Sequence, residues 1–318
     1  MPLKRPFAQV DVFTAIPYLG NALAVVLDGT GLSDAEMQRF ARWTNLAETT
    51  FLLPPSAQAA AQGADYQVRI FTTAYEMPFA GHPTLGSCHA WLEAGATPQQ
   101  VDVIVQQCQT GLVKIRRTKT SSGQRLAFTA PPLTRHEATP QTLSQIGTAL
   151  GLYPDQIVAA QHLNNGPHHF GVLVDSHQTV LDLTPNYTTL ESLLPGIGVT
   201  GVGVAAVKST QVASNLIARS SREARAFGRT PANAEEPDLQ VRFFATGNQV
   251  SEDPATGSFN ASLAQWLMAE GHAPARYIAA QGSCIGCDAR LYLERDAEGQ
   301  VWVGGDAVTC ISGMVALP

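Results

Sequence analysis

The pattern of apolar and polar positions divides the chain into many short strands, separated by Gly- and Pro-rich turns. Apolar residues alternate with polar ones along residues 7–13, and a continuous apolar run covers residues 22–27. Apolar and β-branched residues also dominate residues 49–53 and 68–73, so all four segments are predicted strands. Residues 211–238 are polar and rich in Ala, which predicts a helix or loop on the surface.

Three segments have helical signals. Ser33 and Glu36 have the spacing of a capping box, which predicts a helix that continues to about Asn45. A second predicted helix covers residues 84–95 and a third covers residues 258–271. Each of these two contains a Trp-Leu pair and ends at a glycine, the residue that most often follows a helix.

The chain contains an internal repeat. Residues 68–73 recur as residues 241–246, with four of the six residues identical at an offset of 173 positions. An irregular Gly/Pro/Thr loop and then a Trp-Leu helix follow each copy. Several matches in the same order indicate two halves of like topology rather than a solenoid, whose repeats are much shorter.

The halves are predicted to join near the Pro131-Pro132 pair. We therefore expect an N-terminal domain at residues 1–132 and a C-terminal domain at residues 133–318. This division leaves open whether the last strand of the chain pairs with a strand of the first domain.

Composition excludes several classes of protein. Of 318 residues, 45% are hydrophobic and only 14% are charged, so neither a disordered chain nor a coiled coil is expected. The net charge of −6 gives no electrostatic attraction to nucleic acid or to an anionic membrane. Five cysteines, an odd number, are typical of reduced thiols, so the predicted location is the cytoplasm.

The two loops that precede the repeated helices are the first candidate site. Each loop is expected to present backbone N–H groups at a helix start, where unpaired donors and the helix dipole favour an anion. Two such helix starts that face each other would hold a small carboxylate. The predicted contacts are Gly81, His82, Thr256, Gly257 and Ser258, with Asp253 in the second loop. The alternative is that both loops are ordinary turns between a strand and a helix.

Glu48 is the second candidate. It follows the first predicted helix and enters an apolar strand. If its side chain faces a dry cleft, loss of solvation raises its pKa and makes it a competent general acid and base. The alternative is a solvated glutamate at a strand edge.

Three other motifs are weaker than they look. The Gly-rich residues 196–201 match a dinucleotide-binding fingerprint, but they follow a helical segment and precede a strand, so a simple turn is predicted. Cys284 and Cys287 lack a second ligand pair for zinc, and we expect both to be dispensable. His168 and His169 are neighbours on a predicted strand, where adjacent side chains point to opposite faces.

Taken together, these residues resemble the PhzF-like phenazine-biosynthesis family, which has the diaminopimelate-epimerase fold. The resemblance covers nearly the whole chain. The motifs that carry it are Gly-Asn-Ala at 20–22, Asn-Leu-Ala-Glu-Thr-Thr-Phe at 45–51, Phe-Ala-Gly-His-Pro-Thr-Leu-Gly at 79–86, Asn-Gly-Pro-His-His at 165–169, Glu-Asp-Pro-Ala-Thr-Gly-Ser at 252–258, Gln-Gly at 281–282 and Ser-Gly at 312–313.

The resemblance implies an α+β fold of two pseudo-symmetric domains, each a sheet wrapped around a central helix, with the active site between them. It also implies a homodimer without a cofactor or a metal. Glu48 matches the catalytic acid and base of the family. Three positions match its polar partners around the substrate: His82, Asp253 and Ser258. Three more match substrate-contacting positions: Asn21, Gly81 and Gly257.

The residues also bear on the reaction. Related epimerases use two cysteines, one in each half, and the 173-residue offset aligns Ala80 with Asp253 at these positions. Because Ala80 cannot carry a proton, a single base, Glu48, is expected to move a proton between carbons of an unsaturated or cyclic carboxylic acid. The family's dihydro-hydroxyanthranilate isomerase performs such a reaction. A two-base epimerisation by Glu48 and Asp253 stays open.

One departure from the family affects the substrate. After Gln281-Gly282 the family usually has Gly-Arg-Pro, whereas this chain has Cys287 and Asp288 in place of the last two residues, so an anion contact is lost.

Two further functions are alternatives to an isomerase or epimerase. One is a non-catalytic protein that binds small acids. The other is a metal-dependent hydrolase that uses His82, His89 and His168, although these residues lack the usual spacing of metal ligands.

Overall fold

The computed structural model describes residues 3–120, 123–208, 236–245 and 252–318. All but the last three residues of the predicted surface segment 211–238 lie outside these ranges. In the part that is described, every strand belongs to one hydrogen-bonded network, and α-helices pack against it. None of the described helices is long and apolar enough to cross a membrane.

The first half of the chain alternates strands with three helices. Its elements are β1 (Leu3–Val12), β2 (Asn21–Val26), α1 (Asp34–Thr44), β3 (Glu48–Leu53), α2 (Ala57–Ala61), β4 (Tyr66–Phe71), β5 (Glu76–Met77), α3 (Gly81–Glu93), β6 (Val103–Cys108), β7 (Gly111–Thr120) and β8 (Gly123–Thr129).

The second half has the same character. Its elements are β9 (Thr134–Glu137), α4 (Pro140–Leu150), β10 (Ile157–Asn164), β11 (His168–Val174), α5 (His177–Leu181), α6 (Tyr187–Gly196), β12 (Gly201–Val207), β13 (Leu239–Ala245), α7 (Gly257–Ala269), β14 (Arg276–Gln281), β15 (Ala289–Arg295), β16 (Val301–Gly305) and β17 (Ala307–Leu317).

The local predictions are confirmed with shifted ends. All four predicted strands are present as β1 to β4. The capping box forms as expected, because the Glu36 carboxylate accepts a hydrogen bond from the Ser33 backbone N–H at 2.8 Å. Asn45 ends α1 in the left-handed conformation. The Gly-rich residues 196–201 form the predicted turn between α6 and β12.

The order of strand pairing is the same in the two halves. From β1 to β8 the successive pairs β1–β2, β2–β3, β3–β4, β4–β6, β6–β7 and β7–β8 run antiparallel, parallel, antiparallel, parallel, antiparallel and antiparallel. The pairs from β10–β11 to β15–β16 repeat this order. The sequence repeat is therefore also a repeat of topology, while the boundary after residue 132 stays a prediction.

Three pairings join the halves or extend them. The last strand, β17, pairs antiparallel with β1 along its whole length, and β8 pairs with β16. β9, which follows the Pro131-Pro132 pair, pairs with β10. The sheet of the first half is thus completed by the end of the chain.

A buried helix of 13 residues lies at the centre of each half: α3 in the first and α7 in the second. Ten of the 13 residues of each helix are buried, as expected for helices within a core rather than on a surface. A Cβ atom at Gly86 would lie 2.6 Å from the Leu23 side chain, so a glycine lets α3 pack directly against β2. This packing fixes where α3 begins.

Candidate active site

A cavity of about 320 Å³ lies where the starts of α3 and α7 meet. Loops and strand ends from both halves line it. All eight residues that the sequence analysis assigned to a site are on its wall: Asn21, Glu48, Gly81, His82, Asp253, Thr256, Gly257 and Ser258. The two loops and Glu48, treated above as separate candidates, therefore belong to a single site.

The first residues of the two central helices, Gly81 and Gly257, are in contact. A Cβ atom at Gly81 would lie 3.3 Å from the Cα atom of Gly257 and 2.7 Å from the Phe128 ring. Only residues without a side chain allow this approach. The predicted meeting of two helix starts is thus present in the structure.

The capping of these two helices differs from that of the other described α-helices. Helices α1, α2, α4, α5 and α6 each have a serine, threonine or asparagine side chain that accepts a hydrogen bond from their first turn. The N-cap residues of α3 and α7 are Ala80 and Thr256, and neither makes such a bond. The first N–H groups of both helices are therefore left to other acceptors at the cavity.

Glu48 is the first residue of β3, and its side chain is 14% exposed. Its Oε2 atom is buried and has no hydrogen-bond partner among the described residues. Burial, assisted by the negative charge of Asp253, raises the pKa of Glu48 to about 8. Of the two alternatives left open by the sequence, the structure has the buried carboxyl group rather than a solvated glutamate at a strand edge.

His82 faces Glu48 from the first turn of α3. Its Nε2 atom lies 3.3 Å from Glu48 Oε2, but the angles do not make a hydrogen bond and each atom remains without a partner. Burial lowers the pKa of His82 to about 3, although a hydrogen bond to the carbonyl of Ala22 opposes this shift. Near neutral pH the imidazole is therefore neutral, and Glu48 is largely protonated.

Asp253 is held on both of its carboxylate oxygens. Asn21 Nδ2 donates to Oδ1 at 2.9 Å, and the Thr256 hydroxyl donates to Oδ2 at 2.6 Å. Burial raises the pKa of Asp253, and these hydrogen bonds oppose the rise. The Asn21 amide also donates to the carbonyl of Ala255 at 2.9 Å, so a residue of the first half holds the loop of the second.

A second layer of hydrogen bonds fixes this loop from behind. The amide of Gln281 donates to the Asp253 carbonyl and to the Thr256 hydroxyl, each at 2.9 Å. Its oxygen accepts from the Thr256 N–H at 3.1 Å and from Asn260 Nδ2 at 2.9 Å. Gln281 belongs to one of the motifs that carry the family resemblance, whereas no sequence signal singled out Asn260, and neither residue was predicted to have a role.

The alignment of Ala80 with Asp253 is wrong. The strands β4 and β13 begin 173 residues apart, at Tyr66 and Leu239, but α3 and α7 begin 176 residues apart, at Gly81 and Gly257. The connection in the second half is three residues longer, so Ala80 corresponds to Thr256. Neither of these residues has a thiol, so the two cysteines that a two-thiol racemisation requires are absent from these positions.

The remaining predicted residues lie elsewhere. His89 Nε2 is 3.3 Å from a carboxylate oxygen of Glu93, away from His82. In the described ranges, no group of three or more His, Cys, Asp or Glu side chains is arranged to hold a metal ion. Cys284 and Cys287 are free thiols at a short turn after β14.

Sequence comparison identifies the family. The profile of the phenazine biosynthesis-like proteins matches residues 10–313. Antisense-enhancing sequence 1 of Schizosaccharomyces pombe is 31% identical, with 98% of each chain covered. The trans-2,3-dihydro-3-hydroxyanthranilate isomerase of Pseudomonas fluorescens is 28% identical, with 98% of this chain and 99% of the relative covered.

Solved structures share the fold. A PhzF-family protein of Bacillus anthracis superposes with a TM-score of 0.78 at 22% identity, and 98% of this chain and 99% of that chain are covered. A hydroxyproline epimerase of Agrobacterium vitis superposes with a TM-score of 0.59 at 15% identity, and 99% and 94% of the two chains are covered. The α+β fold expected from the resemblance is confirmed.

This chain belongs to the phenazine biosynthesis-like protein family. Several relatives are named as isomerases, and this chain belongs to the same class of enzyme.

Proposed function

We propose that this protein is a cofactor-independent isomerase that moves a proton within a small unsaturated or cyclic carboxylic acid. The observation that carries the proposal is the buried Glu48 Oε2 atom, which has no hydrogen-bond partner among the described residues, in one cavity with two helix starts that lack side-chain caps. The first feature supplies an acid and base, and the second supplies donors for an anion.

The helix starts favour a carboxylate. Unpaired N–H groups and the dipole of each helix stabilise negative charge at its N-terminus. Gly81 and Gly257 place no side chain between these groups and a ligand. An acid bound here lies beside Glu48, which lines the same cavity.

The proton transfer needs one base. Ionised Glu48 takes a proton from a carbon of the substrate, and the electron pair of the broken C–H bond enters the conjugated system. The Glu48 acid then returns the proton to another carbon on the same face, so atoms and charge balance. Neutral His82 faces this carboxyl and is able to accept a hydrogen bond from its protonated form. Asp253 and Ser258 border the bound acid as polar neighbours.

The name of the Pseudomonas fluorescens relative indicates a reaction of this type. Trans-2,3-dihydro-3-hydroxyanthranilate is therefore the first compound to test, although Cys287 and Asp288 leave the natural substrate open. An epimerase with Asp253 as a second base is less well supported, because both oxygens of Asp253 accept hydrogen bonds.

Substitution of the proposed base tests the function. Glu48→Gln keeps the shape of the side chain but cannot take up or return a proton. Turnover is therefore expected to fall by about 10²–10⁴-fold while binding of the acid survives. Glu191→Gln, an exposed glutamate on α6, is the matched control. Near-normal turnover by Glu48→Gln on a substrate of the wild type would contradict the proposal.

The route of the proton is tested in D₂O. A single-base transfer returns part of the original hydrogen to the product, which NMR detects as incomplete deuteration at the new position. A two-base route fills that position from solvent. Complete deuteration from the first turnover would favour the epimerase alternative.

Assembly and location are proposals as well. The resemblance implies a homodimer, which light scattering on the purified protein tests directly. The cysteine content favours a cytoplasmic location.

A further inference from the structure

A second cavity, of about 660 Å³, lies directly beside the first, and we call it the side chamber. Seven residues line both cavities, among them Glu48, Phe79 and Ser258. Glu48 lies on the shared wall. A ligand whose reacting carbon is next to the Glu48 carboxyl group therefore has room for a substituent that extends into the side chamber.

The walls of the side chamber are mainly apolar and come from both halves. The first half contributes Tyr75, Phe79, Leu112 and Val113, and the second half contributes Phe243. An aromatic ring or a branched aliphatic group buries apolar surface against such walls, and this burial is favourable in proportion to the area removed from water.

The charges of the described lining residues disfavour a second anionic group. Among these residues of the two cavities there is no lysine or arginine, and the acidic ones are Glu48 and Asp253. A phosphate or second carboxylate in the side chamber would therefore be desolvated without a compensating cation.

Two polar side chains on the wall of the side chamber, Asn165 and His169, are neutral. Asn165 Nδ2 donates to the Ser258 carbonyl at 2.8 Å, and the His169 ring packs 5.0 Å from the ring of Phe243. Burial lowers the pKa of His169 to about 3, so its ring is uncharged near neutral pH. Within the described ranges, Asn165 Oδ1 and His169 Nδ1 have no hydrogen-bond partner.

We propose that the substrate is a monocarboxylic acid with an uncharged ring or branched apolar group, and that this group occupies the side chamber beside Leu112, Val113 and Phe243. The proposal rests on the proposed function for the position of the acid group, which lies at the starts of α3 and α7. The side chamber then selects among acids by the group that is remote from the reacting carbon.

Calorimetric titration of three acids tests this substrate class on the wild-type protein. The probes are benzoate, para-phenylbenzoate and the dicarboxylate that has a second carboxylate on the distal ring. Para-phenylbenzoate is expected to bind about 10-fold or more tightly than benzoate, because its second ring is buried in the side chamber. The dicarboxylate is expected to lose this gain.

Two variants locate the effect. Leu112 and Val113 are neighbours on β7, where adjacent side chains point to opposite faces, and Val113 is the one that packs, partly buried, against the core. Val113→Phe and Val113→Trp therefore narrow the side chamber, which Val113 lines. Both are expected to abolish the preference for para-phenylbenzoate and to leave benzoate binding unchanged. Leu3→Trp, on an exposed position of β1 outside both cavities, is the control. Thermal melting shows whether each variant is folded.

The outcomes separate the two proposals. Equal binding of benzoate and para-phenylbenzoate, or a preference that survives in the folded variants, would show that the side chamber does not bind the remote group, and it would leave the proposed function intact. Tight binding of the dicarboxylate would show that this group need not be uncharged. Failure of the wild type to bind any of the acids overturns both proposals.

Discussion

Arg242 and Glu252 form a buried ion pair with two hydrogen bonds. Nε and Nη2 of Arg242 donate to the two carboxylate oxygens at 3.0 and 2.8 Å, and the side chains are 6% and 3% exposed. Arg242 Nη1 also donates to the carbonyl of Leu183 at 2.9 Å. Because Glu252 precedes Asp253, this pair attaches the Asp253 loop of the second half to strand β13.

The first half has a corresponding pair that is only partly buried, and its arginine also pairs with the exposed Asp34. Arg69 lies at the same place in the repeated motif as Arg242, and its Nε and Nη2 atoms donate to Glu76 at 2.8 and 2.6 Å. Both of these side chains are 20% exposed. The repeat therefore supplies a natural comparison between a buried and a more exposed ion pair.

We predict that Arg242→Met destabilises the protein far more than Arg69→Met. Removal of one partner leaves the buried Glu252 charge without compensation, which costs about 3–5 kcal/mol. Loss of the more exposed pair costs about 1 kcal/mol or less. Denaturant unfolding of the two variants measures both values, and equal losses would contradict this difference in burial.

The difference in stability between Glu48→Gln and the wild type is expected to depend on pH. The pKa of Glu48 in the folded protein is about 8, above its ordinary value of 4.5. Between these values the folded chain holds a proton that the unfolded chain has released, so the wild type loses stability as pH rises through this window. Glutamine does not titrate, and the variant should therefore gain melting temperature relative to the wild type, by about 2 °C or more.

Melting curves between pH 5 and 9 test this pH dependence, with Glu191→Gln as the exposed control. The control should follow the wild type at every pH. If the melting temperatures of Glu48→Gln and the wild type change with pH in parallel, the Glu48 carboxyl group is not protonated in the folded protein.

The same pKa predicts the pH dependence of catalysis. Glu48 must be ionised to take a proton, so kcat/KM should rise with pH below a pKa of about 8 and level off above it. The comparison of kcat/KM across buffers that span this range, on a compound that the wild type turns over, measures the inflection. A falling profile through the same range would mean that Glu48 acts first as an acid.

Gly81→Ala is expected to weaken both stability and acid binding. Its Cβ atom would lie 2.7 Å from the Phe128 ring of β8 and 3.3 Å from Gly257 Cα, so the ring must move and the start of α7 must shift slightly. We expect a loss of about 1–3 kcal/mol. Gly196→Ala at the end of α6 is the control, because nothing lies within 4 Å of its Cβ position. Normal benzoate affinity in Gly81→Ala would contradict the role of this contact.

Replacement of Cys284 and Cys287 by serine is expected to leave turnover and metal content unchanged. The two thiols are free, and in the described part of the chain no further ligands complete a metal site around them. Elemental analysis and the isomerase assay test the double variant. Stoichiometric zinc in the wild type that disappears from the variant would overturn this prediction.

The sequence by itself determined much of the local structure, and it pointed to eight residues that line the cavity. Ser33 and Glu36 specify a helix start because their capping bonds join neighbours in the chain. The repeat at residues 68–73 and 241–246 predicted the shared topology of the halves, because alternation and turns are encoded over a few residues. Short motifs were sufficient to name every assigned residue that lines the cavity.

The tertiary structure decided what these residues can do. The hydrogen bond from Asn21 to Asp253 joins positions 232 residues apart, and no local pattern predicts it. Ala80 corresponds to Thr256 rather than to Asp253 because the connection before α7 is longer by three residues. The pKa of Glu48 depends on burial by segments distant in the chain, and desolvation is a property of the assembled cavity rather than of neighbouring residues.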